Sequence, residues 1–123
     1  MPVRGLDHVN IATAQLEATR AFYCDLLGLE QGPRPAFAVD GHWLYAEGRP
    51  IVHLQRADED GASEAGSVRH FALHVSELDE IVRRLVAAGV AYRRTSTPDG
   101  AADQVFVDDP SGARVELLQP IRP

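Results

Sequence analysis

Two histidines open short apolar stretches that resemble each other, one in each half of the chain. The first stretch is Asp7-His8-Val9-Asn10-Ile11-Ala12, and the second is Arg69-His70-Phe71-Ala72-Leu73-His74. Both alternate as a half-buried strand does, and a helix-like segment follows each of them. The sequence therefore predicts two copies of one module, with the imidazoles of His8 and His70 as candidate metal ligands at equivalent positions.

Each half also closes on a strand-like run that carries a second candidate ligand. His53 lies in the run 51–55, and Glu116 lies in the run 114–118. The opening histidine precedes the closing residue by 45 residues in the first half and by 46 in the second. One histidine in a strand is more often a packing or surface residue. Four metal-competent side chains at equivalent places predict a metal site made of His8, His53, His70 and Glu116.

This ligand set favours particular ions and a particular chemistry. Imidazole nitrogens with one carboxylate suit Zn, Ni, Co, Fe(II) or Mn better than the all-oxygen sites of Ca and Mg. An octahedral ion would keep open positions for water or for a bidentate substrate, whose oxygens it could polarise. Because Glu116 is the single anionic ligand, we expect it to serve also as a catalytic proton shuttle.

Four further residues are candidates for the substrate pocket or for catalysis. Asn10 and His74 share strand faces with the two opening histidines, since alternate residues of a strand point to one side. Asn10 either lines the pocket or has a structural role. His74 is a candidate second catalytic acid or base, an outer partner that orients a ligand, or a packed histidine. Trp43 and Tyr45 either shape the pocket or pack in the core.

The elements that must position these residues follow the same order in both halves. In the first half, periodicity predicts a strand over 4–12, a helix over 16–27 that ends at Gly28, and then three strands. Those strands are expected at 36–39, 43–47 and 51–55. Phe22 and Tyr23 fall on the apolar stripe of the helix and are predicted core residues.

The second half repeats this order after an acidic, small-residue linker over about 57–67. A strand is predicted over 69–75 and a helix over 78–86, with Ser76 and Asp79 resembling a capping box. Strands are then expected at 91–95, 104–107 and 113–118. We therefore predict an α+β fold of two tandem βαβββ modules, about 4–56 and about 68–119, within one domain over 1–123.

Composition excludes several classes of function. The 123 residues have a formal net charge of -6, so a nucleic-acid surface built from clustered lysines and arginines is not expected. Cys24 is the only cysteine, which excludes an intrachain disulfide and suits a reducing cytoplasm. With no apolar run of membrane-spanning length and no leader-like start, we expect a soluble cytoplasmic protein with no membrane partner.

Taken together, these motifs resemble the vicinal oxygen chelate superfamily, which includes glyoxalase I, bleomycin-binding proteins and extradiol dioxygenases. The resemblance covers essentially the whole chain. Its carriers are Leu6-Asp7-His8-Val9, Ala21-Phe22-Tyr23 with Leu26-Leu27-Gly28-Leu29, Arg69-His70-Phe71-Ala72, Asp109-Pro110-Ser111-Gly112 and Val115-Glu116-Leu117. It implies paired modules whose mixed sheets curve around a metal-binding cavity, and it implies a homodimer.

The resemblance implies a glyoxalase-like lyase or isomerase that chelates a small substrate through adjacent oxygens on a divalent metal. His53 stands where glyoxalases usually have a glutamate, and Ala12 stands where glutathione-using relatives place an arginine. The first alternative is an Fe(II)-dependent extradiol-type dioxygenase, for which His8, His70 and Glu116 alone would suffice. The second is a non-enzymatic protein that binds a small molecule such as an antibiotic. Fosfomycin modification and epimerase activity fit the sequence less well.

Overall fold

The computed structural model describes residues 2–60 and 68–121. Contacts divide it into two units, Met1–Ala62 and Ser63–Pro123. Each unit contains one four-stranded mixed sheet and one α-helix. This confirms the predicted α+β class and the predicted pair of modules. No helix in the described ranges is long and apolar enough to cross a bilayer.

The first unit is built as a helix packed on one face of its sheet. Its elements are β1 (Val9–Thr13), α1 (Leu16–Ala21), a π-helical turn (Phe22–Leu26), β2 (Glu30–Gly32), β3 (Gly41–Ala46) and β4 (Arg49–Arg56). The sheet order is β1-β4-β3-β2, with β1 parallel to β4 and the other pairs antiparallel. Alternation on β1 buries Ile11 and Thr13 and leaves Asn10 exposed.

The buried face of this sheet fixes which side chains remain for a site. Its core contains Ile11, Leu16, Phe22, Tyr23, Leu44, Val52 and Leu54, all of them nearly or fully buried. Phe22 and Tyr23 are therefore core residues, as predicted, and their rings meet edge to face at 5.1 Å. Since alternate strand residues point oppositely, His53 lies on the face away from this core.

The second unit repeats the plan. Its elements are β5 (Phe71–His74), α2 (Leu78–Ala87), β6 (Tyr92–Ser96), β7 (Ala102–Asp108) and β8 (Arg114–Pro120). The sheet order is β5-β8-β7-β6, with β5 parallel to β8 and the other pairs antiparallel. Leu78, Ile81 and Leu85 of α2 are buried together with Val105, Val107, Val115 and Leu117 of the sheet.

Several predicted element boundaries differ in the structure. The run 36–39 is not a strand, because the backbone N–H of Phe37 donates to the Pro35 carbonyl and the Val39 carbonyl accepts from the Arg34 side chain. Phe37 is 55% exposed. The strand that pairs with β3 on the side away from β4 is instead the short β2 over 30–32. The first strand begins at Val9, and the predicted helix over 16–27 changes to π-helical geometry at Phe22.

The start of α2 also differs from the prediction. Glu77 precedes the helix in a left-handed conformation with a φ of 55°, and no side chain caps the helix from within. The predicted capping box at Ser76 and Asp79 is therefore wrong. The backbone N–H of Leu78 donates instead to Gln119 Oε1 on β8, at 2.8 Å. A strand distant in sequence thus satisfies one free donor of the helix.

The predicted linker is partly described. Ala57 donates its backbone N–H to Thr13, and the Asp60 carboxylate accepts from the backbone of Ala14 and from the Gln15 side chain. Residues 57–60 therefore belong to the first unit. The rest of the predicted linker, 61–67, lies outside the described residues.

Candidate functional site

The two histidines of the first unit lie side by side. His8 comes directly before β1, and His53 lies on β4 in register with Asn10. Because register partners in neighbouring strands share a face, His8 and His53 lie on the same face of the sheet. Their rings stack with centroids 3.8 Å apart and an interplanar angle of 13°.

Hydrogen bonds fix one nitrogen of each of these rings. His8 donates from Nδ1 to Asp7 Oδ1 at 2.7 Å, and His53 donates from Nε2 to the backbone carbonyl of Pro50 at 3.0 Å. Metal-binding histidines commonly donate their second nitrogen to a carboxylate or a carbonyl in this way. The arrangement leaves Nε2 of His8 and Nδ1 of His53 with lone pairs for an ion.

Burial and charge also favour the neutral form of His53. Desolvation lowers the pKa of this imidazole below its usual value, and the neighbouring charge of His8 lowers it further. The hydrogen bond from His8 lowers the pKa of the Asp7 carboxyl below its usual value. A neutral imidazole is the form that binds a metal ion.

The second unit joins a histidine to a buried carboxylate. His70 Nε2 lies 3.0 Å from Glu116 Oε1, and Gln104 Nε2 donates to Glu116 Oε2 at 3.1 Å. Glu116 is 6% exposed, whereas the side chain of His70 is 40% exposed. Phe106 meets the His70 ring edge on, at 5.8 Å between centroids. Both carboxylate oxygens therefore have a defined partner.

Strand register places the two pairs equivalently. His53 is in register with Asn10, which is two residues after His8. Glu116 is in register with Ala72, which is two residues after His70. Aromatic residues also match, because Trp43 is the antiparallel partner of His53 and Phe106 is that of Glu116. The sequence repeat is thus a repeat of sheet geometry.

The donor set suits a borderline divalent ion. Two cis ligands about 2.1 Å from a metal lie about 3 Å apart, so the 3.0 Å between His70 Nε2 and Glu116 Oε1 is compatible with shared coordination. The nearly parallel rings of His8 and His53 cannot both direct in-plane lone pairs at one ion, so shared coordination by the two would require one ring to turn. No group of three or more His, Cys, Asp or Glu side chains placed to hold a metal occurs within 2–60 and 68–121. The four-ligand set stays a prediction.

A cavity of about 310 Å³ opens on the His53 face of the first unit. Asn10, Trp43 and His53 line it, and the Trp43 ring stacks on the His53 ring at 4.1 Å. Tyr45, predicted for the pocket, is not part of the lining. Its hydroxyl donates to the Pro33 carbonyl at 2.6 Å, and it belongs to the contact between β2 and β3.

His74 lies at the end of β5 and is exposed. Strand alternation puts it on the same face as His70, and Ala72 between them is the register partner of Glu116. No contact joins His74 to Glu116 among the described residues, so its catalytic role stays a prediction.

Sequence reasoning missed two partners of the candidate ligands, Asp7 and Gln104, and one residue of the cavity, Arg34. Asp7 was visible as the acid directly before His8, a spacing that could have suggested the hydrogen bond. Gln104 was visible only as a polar residue in a strand, because its bond to Glu116 depends on register. Arg34, which also lines the cavity, had no signal in the sequence beyond its position between two prolines.

Comparison with known proteins agrees with this architecture. An uncharacterized protein from Escherichia coli K12, YaeR, is 24% identical over 125 residues, covering 95% of this chain and 97% of its own. A lactoylglutathione lyase structure from Agrobacterium tumefaciens matches with a TM-score of 0.72 and 20% identity, covering 97% of this chain and 96% of its own. TnmS3, an antibiotic binding protein from Streptomyces sp. CB03234, matches with a TM-score of 0.72 and 22% identity, covering 98% of both chains.

A family model provides the assignment. The model of the Glyoxalase/Bleomycin resistance protein/Dioxygenase superfamily matches residues 5–117, a range that includes both candidate pairs and ends within β8. The chain belongs to the glyoxalase, bleomycin resistance protein and dioxygenase superfamily, the vicinal oxygen chelate proteins.

Proposed function

We propose that this chain is a metal-dependent enzyme of the glyoxalase type, a lyase or isomerase that acts on a small substrate with adjacent oxygens. The proposed ligands are His8 and His53 of the first unit with His70 and Glu116 of the second. The observation that carries the proposal is the matching register, in which each closing ligand pairs with the residue two after the opening histidine. A repeat that served packing alone would not need metal-competent side chains at all four places.

When bound, a divalent ion would supply Lewis-acid activation of the substrate oxygens. The chain's own residues supply the proton transfers. Glu116 is a buried carboxylate that can take a proton from a carbon next to a carbonyl, while Gln104 holds its second oxygen. His74, on the same sheet face, would return or relay the proton. We therefore assign Glu116 and His74 as catalytic residues and Asn10 as a pocket residue.

The ligand set is tested by metal quantification in purified protein. We expect stoichiometric Zn, Ni, Co, Fe(II) or Mn in the wild type, and at least about a 100-fold loss of metal affinity in His8→Ala, His53→Ala, His70→Ala and Glu116→Gln. His42→Ala is the matched control, because His42 donates to Glu17 and lies outside the set. Unchanged affinity in all four variants would overturn the proposal.

Activity is tested by screening the reconstituted protein against methylglyoxal-thiol adducts, catechols and acyl-CoA thioesters. With a turned-over substrate, His74→Ala should lower kcat by about 10²- to 10⁴-fold without changing metal affinity. If kcat is unchanged, His74 has no acid or base role.

We also propose that the enzyme is a homodimer, which sedimentation of the metal-loaded protein tests. Its proposed location is the cytoplasm, where Cys24 would stay reduced.

A second candidate function is Fe(II)-dependent extradiol-type dioxygenation. One observation favours it, because His53 is enclosed between the Trp43 and His8 rings and bonded to Pro50. Without His53, the remaining ligands are two histidines and one carboxylate, the set of non-heme iron oxygenases. Oxygen consumption with catechols after Fe(II) loading, retained in His53→Ala, would select this function.

A third candidate is a binding protein without catalysis, for which the cavity beside Trp43 would suffice. Ligand binding that survives removal of all metal, with no turnover of any screened compound, would select it.

A further inference from the structure

The cavity of the first unit contains an arginine with no counter-ion. Arginines that pair with a carboxylate in the described ranges are Arg20, Arg56, Arg83, Arg84, Arg94 and Arg114. Arg34 has no carboxylate partner among the described residues, and it is half-buried, whereas the other unpaired arginines described are exposed. A guanidinium stays charged at any physiological pH, so the cavity holds an uncompensated positive charge.

The hydrogen-bond donors of Arg34 are largely unused. Its Nη2 donates to the backbone carbonyl of Val39 at 2.9 Å, and its Cζ lies 4.9 Å from the centre of the Phe37 ring. Its Nε is buried and has no hydrogen-bond partner among the described residues. Stacking and one backbone contact therefore hold the guanidinium in place and leave Nη hydrogens for an acceptor that the described chain does not provide.

The rest of the lining is suited to an apolar body. Phe37, Val39 and Trp43 form aromatic and branched walls, and the Phe37 and Trp43 rings are tilted by 42° at 6.3 Å. Asn10 and Gln55 add amide groups at one side, joined by a 3.3 Å hydrogen bond. A volume of about 310 Å³ is at the small end of ligand sites. The positive charge of Arg34, the apolar lining and the small volume of the cavity together favour a small acid with a hydrophobic group.

We propose that this cavity binds a small carboxylic acid with an aromatic or branched apolar body, whose carboxylate contacts Arg34 and whose body packs on Trp43. Arginine suits this role because its planar fork matches the two oxygens of a carboxylate. The assignment deepens the proposed function by naming a substrate class. It rests on that function only for the statement that the bound acid is a substrate, since binding to Arg34 requires no metal.

Binding in the cavity can be followed by the fluorescence of Trp43, because it is the only tryptophan of the chain. Metal-free protein is titrated with phenylacetate and with its neutral isostere phenylacetamide, and Trp43 emission is followed. We expect phenylacetate to bind at least about tenfold more tightly in the wild type and in the matched control Arg83→Met on α2. In Arg34→Met the two compounds should bind equally.

A folding defect in Arg34→Met is detected by thermal unfolding. A second measurement then uses the wild type, in which the Arg34 Nη–H resonances should shift with phenylacetate and not with phenylacetamide. Equal binding of the two compounds to the wild type, or unmoved Nη–H resonances, overturns the proposal. If acetate binds as tightly as phenylacetate, the proposed packing of an apolar body on Trp43 is refuted.

The metal dependence separates this proposal from the proposed function. If phenylacetate binds only after metal loading and binding is lost in His8→Ala, the acid contacts the ion, and the role of Arg34 is refuted. If metal-free protein discriminates the acid from the amide while no stoichiometric metal binds, the carboxylate site stands and the metal-dependent function fails.

Discussion

Replacing Gln104 with leucine tests whether the surroundings of Glu116 position a metal ligand. Gln104 Nε2 donates to Glu116 Oε2 at 3.1 Å, and Glu116 is 6% exposed, so water cannot readily replace the lost donor. A hydrogen bond to a charged group contributes about 1.5–3 kcal/mol, and Gln104 is only half-buried. We expect the free energy of unfolding of the metal-free protein to fall by about 1–2 kcal/mol. For a chain of this size the melting temperature should fall by about 3–10 °C.

The same substitution should lower metal affinity by about 10- to 100-fold, because outer partners orient a ligand and tune its basicity. Competition with a chromophoric chelator measures the affinity, and thermal unfolding of the metal-free protein measures the stability. Gln31→Leu on the edge strand β2 is the matched control, since Gln31 is exposed and far in sequence from either candidate pair. Lower stability combined with wild-type metal affinity would refute the reasoning, because the bond would then be structural only.

Three further predictions follow from local contacts. Asp7→Asn should weaken metal binding about tenfold, since His8 loses its charged acceptor, with little change in melting temperature because Asp7 is fully exposed; equal affinity would exclude Asp7 as an orienting partner. The pKa of His53 is lowered in the fold, so the unfolded chain binds this proton more readily and stability should fall as pH drops below about 6.5. Between pH 8 and pH 5, the free energy of unfolding should fall less in His53→Gln than in the wild type. The same pH dependence in both proteins would contradict the lowered pKa of His53. Gly32→Ala should cost about 1–3 kcal/mol in denaturant unfolding, because a Cβ there would lie 2.7 Å from Tyr45 Cε1; an unchanged midpoint would show that the ring moves freely.

Sequence patterns predicted the repeat and the strand face on which its candidate ligands lie. Alternation around His8 and His70 is a local property of strands, so the faces could be assigned without knowing which strands pair. Helix periodicity likewise located Phe22 and Tyr23 in the core. The strand predicted over 36–39 was wrong because its apolar residues indicate a strand, whereas the Phe37 N–H bonds to the Pro35 carbonyl and the Val39 carbonyl bonds to Arg34.

Contacts between residues distant in sequence were decided only by the tertiary structure. The amide of Gln104 reaches Glu116 because β7 and β8 pair in one register, and the amide of Gln119 caps α2 because β8 ends beside it. A register shift by one residue would turn these side chains to the opposite face. Apolar alternation assigns a face to each residue of a strand, whereas the residues that lie opposite one another are fixed only when two strands pair.

The sequence by itself thus determined that two modules each carry two metal-competent residues at equivalent strand positions. Tertiary structure determined what each of those residues contacts: Asp7 and Pro50 in the first unit, His70 with Gln104 around Glu116 in the second. It also determined that Arg34 has no carboxylate partner among the described residues and lies in the wall of a cavity. The reason is physical, since composition and periodicity are properties of neighbours along the chain, whereas charge pairing and desolvation depend on which residues folding brings together.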